Sequence, residues 1–594
     1  MTTLQPIEAW FEAQGWTPLP FQRRCWQAYL EGQSGLIQVP TGSGKTFAAV
    51  MGPIARMLEE SPAPKGLRLL YITPLRALSR DLALAISEPI EAMGWPLRVG
   101  IRNGDSSSTE RSKQLKAPPH ILITTPESLT LLLCNRKADE LFGQLEAVVL
   151  DEWHELMGSK RGSQCELCLS WLRQQRPALQ TWAISATIGN LQQAATHALG
   201  IGSNPLIIGG APSRSTEIRS LLPDSIDGFP WAGHLGLRMY EELVGAMHPG
   251  ISTLLFTNTR NQSERWYQCL RFACPEMDGA LALHHSAIDR SEREAIEAAV
   301  KAGDIRWVVC TSSLDLGVDL QPVERVVQIG SPKNLARLLQ RAGRSAHLPG
   351  GTSQVLFMPT NALELLEVSA VRRGLSEGLV EQRKPPQAPL DVLLQHLTSL
   401  ACGPGFEPEA TLAAVQSAAA FAGLSSSQWQ WCLRFLEQGG DCLGAYPNYR
   451  KLLWDGDSDC YRISSTTLAR LHRFNIGTIT AAPAITVRFV RGAVLGHVEE
   501  TFISQLKPKD VFFFSGRQLE FVRLRDMTAY VKLSTRKSST VPAWAGGQMA
   551  LSDLLTHHLR HEVAKASRGE LDTPELQALQ PLLTRQQDLS VLPQ

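Results

Sequence analysis

The feature that most limits this chain is a rhythm. Over the first two hundred residues, short apolar runs end in small, polar or proline-containing turns, and a helical pattern follows each. The runs are GLIQVP, LRLLYITP, HILITTP, LEAVVLDE and LQTWAISAT. Aliphatic runs of this length, alternating with amphipathic stretches, are the strand–helix units of a mostly parallel sheet. The rhythm repeats through STLLFTNT, LALHHS, IRWVVCTS, RVVQIGSP and SQVLFMPT, to about residue 372. Two α/β domains in tandem are therefore expected. Their junction is expected near GIGSNPLIIGGAPSRS, where Gly, Pro and Ser concentrate. In such sheets function collects at the carboxyl ends of the strands.

After EQRKPPQAPL the pattern changes. DVLLQHLTSLA, EATLAAVQSAAAFAG and SSQWQWCLRFLEQGG read as amphipathic helices. Short helices with a small hairpin would make a winged-helix type of domain. From about residue 477 the β-like runs AITVRFV, TFISQL, DVFFFSGRQLEFVRL and TAYVKL suggest part of a barrel or sandwich, and LSDLLTHHLRHEVAKA returns to helix. A chain of 594 residues is too long for one core, and length alone suggests roughly three to five domains.

Composition bounds the partners. Hydrophobic residues make up 43% and charged residues 19%, as in a globular protein. The net charge of +1 means that any nucleic-acid surface must be a local patch. No basic-then-apolar leader opens the chain and no run of about 18 apolar residues occurs, so no membrane span is expected. The eleven cysteines are scattered, and Cys165 and Cys168 form a C-x-x-C without a second pair. Reduced thiols in a cytoplasmic protein are the expectation.

The chemistry gathers at strand ends. VPTGSGKT, Val39 to Thr46, stands between a strand and a helix. Its glycines let backbone N–H groups wrap a polyphosphate at a helix N-terminus. Lys45 would reach the β and γ phosphates, and Thr46 would hold Mg²⁺. Val39 replaces the first Gly of the full G-x-x-x-x-G-K-[ST] pattern. DEWH, Asp151 to His154, ends a later strand: Asp151 would hold Mg²⁺ and Glu152 would polarise the attacking water. SAT, Ser185 to Thr187, ends the next, where it suits a hydrogen-bonded link between nucleotide and domain. In QRAGRSAH, Gln340 to His347, Arg341 and Arg344 are three apart and share a helix face. They could offer two guanidinium groups to a phosphate chain across an interdomain cleft. Gly317 and Asp319 lie in a strand-end turn before them, where Asp319 could bridge a ribose or an arginine.

In this order FQ, PTGSGKT, TPLRAL, TTPESL, DEWH, SAT, TNTR, TSSLDLGVD and QRAGR, the chain resembles the superfamily two DExH-box helicases. DEWHELMGSKRG, FPWAGHLGLR, CTSSLDLGVDLQPV, IGSPKNLARLLQRAGRSAH and RDMTAY resemble one branch, the Lhr-Core type or ligase-associated DExH-box helicases. The resemblance covers essentially the whole chain. It implies an α/β fold class: two tandem RecA-like domains over 1–203 and 204–374, a winged-helix domain over 375–476, and a β-barrel-like module over 477–594. Members of the branch usually continue further, so that last module is expected to be partial.

The resemblance also implies an ATP- and Mg²⁺-dependent motor. It would move 3′ to 5′ on single-stranded DNA, opening duplexes and RNA:DNA hybrids with a 3′ tail. A metallo-β-lactamase-fold nuclease and an ATP-dependent DNA ligase are implied partners, and DNA repair the setting. By position, Gln22 would read adenine, and Thr41, Gly42, Ser43, Gly44, Lys45 and Thr46 would bind phosphates. Trp153 would pack behind the site, His154 would couple the acids to the other domain, Gln340 would belong to the catalytic set, and Arg341 and Arg344 would act as fingers. Thr73, Arg76, Thr124 and Thr125 would touch the DNA backbone from the first domain, and Thr257, Arg260 and Thr311 from the second. Hydroxyls, backbone N–H groups and a few arginines suit a sugar–phosphate track.

Strand separation needs a group that stops bases restacking. Trp544, between Pro and Gly after a basic run, is the stacking candidate, and Ile479 the apolar wedge. Burial in a core is the competing reading of both. Arg470, His472 and Arg473, and Arg523, Arg525, Lys532, Arg536 and Lys537, form small basic clusters that are either solvated faces or phosphate tracks. Two other functions stay open: an RNA-directed remodelling ATPase, and an ATP-gated DNA clamp that recruits a nuclease or ligase. His284 and His285, adjacent on a strand, point to opposite faces and do not read as a metal pair.

Overall fold

The computed structural model describes residues 3–40, 42–60, 64–210, 215–223, 225–226, 229–230, 235–315, 323–345, 352–439, 449–476, 484–538, 540–542 and 551–592. The chain divides into two compact units, and neither is continuous in sequence. One comprises Met1–Ala211 and Gln382–Ile479, the other Pro212–Glu381 and Thr480–Gln594.

The first unit is built on a seven-stranded parallel sheet. Its order is Val99–Arg102, Ile121–Thr124, Leu69–Ile72, Ala147–Leu150, Gln180–Ser185, Gly35–Gln38 and Leu206–Ile208. The four central strands are buried along their whole length, which is why they read as unbroken apolar runs. Register aligns their carboxyl ends: Ile72 pairs with both Thr124 and Leu150, and Ser185 with Gln38. Thr73, Thr125, Asp151 and the phosphate loop therefore leave the sheet along one edge. Leu206–Ile208 pairs with Gly35–Ile37, so the first sheet continues past the expected boundary at 203.

The winged helix belongs to this same unit. Its helices are Leu390–Cys402, Pro408–Ser417, Ser426–Gln438 and Thr466–Asn475, with an antiparallel hairpin of Leu452–Asp455 and Cys460–Ile463. One apolar cluster joins it to the α/β domain: Leu393, Leu397, Phe421 and Trp429 share a core with Leu133, Leu156, Met157 and Trp171. Helix Lys160–Gln175 lies in that core, with every residue from Gly162 to Leu172 buried.

The second unit has a six-stranded parallel sheet. Its order is Leu281–His284, Trp307–Cys310, Thr253–Phe256, Arg325–Ile329, Thr352–Met358 and Ser215–Ser220. A five-stranded half-barrel follows: Val494–Glu499, Ala484–Phe489, Thr528–Leu533, Arg517–Arg525 and Val511–Phe514. It is fastened by polar contacts, with Ser515 N–H and His285 Nε2 both on Glu264 Oε1, at 2.9 and 3.0 Å. The expected module over 477–594 is thus a sheet only as far as Leu533. Helices Asp553–Ser567 and Pro574–Leu589 instead pack on helix Ala362–Ser376 of the α/β domain, sharing a core of Leu365, Val563, Leu576 and Leu579. Among the described residues, no helix is long and apolar enough to cross a membrane.

Candidate active site

The phosphate loop connects strand Gly35–Gln38 to helix Lys45–Leu58. Gly42 and Gly44 take φ of 74° and 76°, a left-handed backbone that explains glycine at both positions. Gln22 lies beneath the loop on helix Pro20–Leu30 and is buried. Its Nε2 donates to Gly44 O at 3.0 Å, and its Oε1 accepts from Leu19 N at 2.8 Å. Each end of the amide thus makes one bond to backbone, so Gln22 braces the loop, with one N–H and one lone pair beyond these bonds. Thr41 lies outside the described residues. Ser43 and Lys45 are buried, and Thr46 sits in the first turn of the helix.

Asp151 follows strand Ala147–Leu150, and its N–H donates to Ile72 O at 2.8 Å. Glu152 has φ 45° and ψ 45°, a strained conformation for a residue with a side chain. The strain turns its carboxylate back to the phosphate loop, where Oε1 pairs with Lys45 Nζ. Burial first, then Glu152, pushes the Asp151 carboxyl up to about 6, against the pull of Lys45. Two buried carboxylates sharing one ammonium are a site short of positive charge. Asp151 and the Thr46 hydroxyl are hard oxygen donors, so these residues fit Mg²⁺.

Trp153 is fully buried, and its indole N–H donates to Ala194 O at 2.9 Å, so it packs behind the acids as expected. His154 links the DEWH and SAT motifs within the unit. Nδ1 lies 3.1 Å from Ser185 Oγ and 3.6 Å from Glu152 Oε2, and Nε2 lies 3.6 Å from Glu155 Oε1. Burial holds its imidazole below the ordinary histidine range, so it works as a neutral hydrogen-bonding bridge.

In the second unit, Gln340, Arg341 and Arg344 are all buried on or just after helix Leu335–Ala342. Arg341 is held by partners of its own unit. Its Nε donates to Asp315 Oδ1 at 2.8 Å and its Nη1 to Gln328 Oε1 at 2.6 Å, and it stacks 4.7 Å over the Phe256 ring. A guanidinium held on three sides is a brace. Arg344 Nη2 donates to the Asp315 carbonyl at 3.1 Å. Gly317, Asp319, Ile479 and Trp544 lie outside the described residues.

The expected DNA-contact residues fall into two groups. Thr73, Thr124, Thr125 and Thr257 are buried, and their hydroxyls serve the protein. Thr124 Oγ1 donates to Arg102 O at 2.8 Å, Thr257 Oγ1 to Cys310 O at 3.1 Å, and Thr125 caps helix Pro126–Leu133. Thr311 is buried at the start of a short 3₁₀ turn. Arg76 is exposed and pairs with Asp105 at 3.3 Å, and Arg260 is half-buried at the start of helix Arg260–Ala273. His284 and His285 each have their own carboxylate, Glu297 and Glu264, both at 3.0 Å, on opposite faces of the strand. Of the basic clusters, Arg473 holds the carbonyls of Cys134 and Cys402, while Lys532 and Arg536 pair with Glu520.

Reading the sequence missed Asp315 and Gln328, which anchor Arg341, and also Arg161 and Glu127. The first two stand in TSSLDLGVD and RVVQIG, where nothing local distinguishes them. Arg161 was visible only as a letter of GSKRG.

Comparison with known proteins gives a consistent picture. Residues 19–194 match the DEAD/DEAH box helicase family, and residues 237–348 the helicase conserved C-terminal domain. Residues 373–541 match the winged helix domain of large helicase-related protein. ATP-dependent helicase Lhr-Core protein 2 of Thermococcus barophilus is 32% identical, over 92% of this chain and 66% of that protein. ATP-dependent helicase Lhr-Core of Methanocaldococcus jannaschii is 30% identical, over 99% of this chain and 71% of that protein. The chain thus spans about two thirds of the length of these relatives. The structure of Mycobacterium smegmatis helicase Lhr bound to ssDNA and AMP-PNP superposes with a TM-score of 0.77 at 25% identity, covering 99% of this chain and 75% of that one.

Proposed function

The chain belongs to the Lhr-Core family of ATP-dependent helicases, and on that premise we propose that it is a DNA-stimulated motor: it moves 3′ to 5′ along single-stranded DNA and opens duplexes with a 3′ tail, RNA:DNA hybrids included. The observation that carries this reading is the shared sheet edge. Asp151 and Glu152 leave the sheet on the strand next to the one that ends before Thr73, with Ile72 and Leu150 in direct register, and Lys45 reaches across to Glu152. The acid pair and the first of the expected strand-holding loops are thereby one strand apart.

The resting ion pair suggests the order of events. Lys45 is held by Glu152 until a nucleotide's terminal phosphates compete for the ammonium. Glu152 is then released to accept a proton from the water that attacks the γ-phosphorus, and ADP leaves. Thr46 and Asp151 would hold Mg²⁺, which when bound neutralises charge on the phosphate oxygens. His154 keeps Glu152 in reach of Ser185. Arg341 and Arg344 would be the guanidinium groups offered to a transferring phosphoryl, and Arg341 also fixes its helix on Asp315. A cytoplasmic role in DNA repair, beside a nuclease and a ligase, extends the same reading.

The test is steady-state ATP hydrolysis with Mg²⁺, without nucleic acid and with single-stranded DNA or RNA, then unwinding of duplexes tailed at either end. Stimulation by DNA together with unwinding of 3′-tailed substrates supports the proposal. Stimulation by RNA alone makes the chain an RNA remodeller, and DNA binding without strand displacement makes it a clamp.

A further inference from the structure

We propose that Arg161 couples the ATP site to the strand-holding loops, as a positioning residue whose guanidinium fixes the loops at Pro74 and Glu127 to helix Lys160–Gln175, which abuts the short helix that follows Glu152. This rests on the motor reading above and adds to it the part that transmits.

The chain of contacts is short. Helix Trp153–Met157 starts directly after Glu152. Ser159 follows it, donating from Oγ to Leu156 O at 2.7 Å and capping helix Lys160–Gln175 through Gly162 N. Gly162 is where the two helices touch. A Cβ there would lie 2.2 Å from Leu156 O, so only glycine permits the approach. The start of the second helix therefore cannot stay behind when the first one shifts. Between Ser159 and Gly162 stands Arg161. Its Nε donates to Glu127 Oε1 at 2.5 Å, and its Nη2 donates to Glu127 Oε2 at 3.2 Å and to Pro74 O at 2.7 Å.

Those acceptors belong to the two loops at issue. Pro74 lies between Thr73 and Arg76, and Glu127 follows Thr124 and Thr125 on the first turn of helix Pro126–Leu133. The loops are already joined by Thr73 N–H to Thr124 O at 2.9 Å. One planar fork thus binds a carboxylate with two donors and a backbone carbonyl of the neighbouring loop at the same time. A lysine at this position would keep the charge but could not reproduce the fork. The carboxyl of Glu127 is pushed up by burial, yet the Arg161 guanidinium and its own helix start bring it below the usual range, so the pair is ionised at neutral pH.

The experiment uses the full chain and Arg161→Lys, Arg161→Ala and Glu127→Gln. ATP hydrolysis is measured without nucleic acid and across a titration of single-stranded DNA, with a thermal melt of each variant. Coupling predicts that Arg161→Lys melts and hydrolyses ATP like wild type without DNA. It also predicts that the ratio of stimulated to unstimulated rate falls by about tenfold, the scale expected when a support is misplaced by a fraction of an ångström. Glu127→Gln should shift the same ratio in the same direction, which keeps the test alive if Arg161→Ala fails to fold. A stimulated wild type with an equally stimulated Arg161→Lys overturns the coupling and leaves the motor intact. Equal loss of both rates overturns it too, because that is simple destabilisation. A wild type that single-stranded DNA does not stimulate removes the motor reading and the coupling together.

Discussion

Glu152 adopts a left-handed backbone that its side chain disfavours, and the reward is a carboxylate held against Lys45 in a buried site. Glu152→Gln should leave nucleotide binding in place, because the glutamine keeps the shape and Lys45 loses its competitor for phosphate. Hydrolysis should fall by about two to four orders of magnitude, the usual contribution of a general base. Binding of a fluorescent ATP analogue and single-turnover hydrolysis check this, and near-wild-type turnover would take Glu152 out of the mechanism. Residues of this kind were legible in the sequence because their signal is local: a glycine-rich turn before a helix, two acids after a strand. The protein partners of Gln22 and Arg341, and Arg161 altogether, escaped the sequence for the opposite reason. Their roles come from partners 13 to 87 positions away: Gly44 for Gln22, Gln328 and Asp315 for Arg341, and Pro74 and Glu127 for Arg161.

At the scale of elements, the ten apolar runs became strands because sheets covered on both faces leave no polar side to blur the signal. The strands that escaped notice, Val494–Glu499 among them, are edge strands, and TFISQL, read as β-like, is instead helix Glu500–Ile503 and its turn. Val99–Arg102 is only half-buried, Leu206–Ile208 has three residues among Gly and Pro, and Ser215–Ser220 is mostly polar. The winged-helix segment carries an energetic consequence no pattern shows. His396 is buried in helix Leu390–Cys402, and burial lowers its imidazole to about 3. His472, on Thr466–Asn475, is lowered to about 4 by burial, then by Lys451 and Arg473. Below the ordinary histidine value of 6.5 the unfolded chain binds protons that the native chain refuses. Stability is therefore fully present above about pH 6.5 and falls with pH, by about 1.4 kcal/mol per unit for each histidine, until the native value is reached. At pH 5, His396 alone should cost roughly 2 kcal/mol. Urea titrations at pH 7 and pH 5 on wild type and His396→Leu test this: the variant should lose less stability on acidification, and an identical pH slope would remove His396 from the account.

At the scale of the whole molecule, the order of segments along the chain differs from their grouping in space. The first α/β domain shares a core with a winged helix that is made only after the second α/β domain. The interface is polar as well as apolar. Buried Glu166 accepts from Ala420 N at 2.9 Å and faces His197 Nδ1 at 2.9 Å, and Ile201 N–H donates to Ser417 O at 2.9 Å. Removing the winged helix would leave Glu166 with a lost donor and expose one side of helix Lys160–Gln175, both destabilising. Residues 1–210 alone should thus bind hydrophobic dyes and aggregate. The same segment joined to residues 382–476 by a flexible linker of about 20 residues, with a reach of roughly 25 Å, should be monomeric, melt cooperatively and bind ATP. Light scattering, dye binding and thermal melts of the two fragments decide the matter. If the isolated 1–210 segment melts as cooperatively as the joined form, the winged helix is an appendage to the nucleotide-binding domain. If only the joined form does, the half of the motor that binds ATP includes the winged helix, and a change at the phosphate site moves both together.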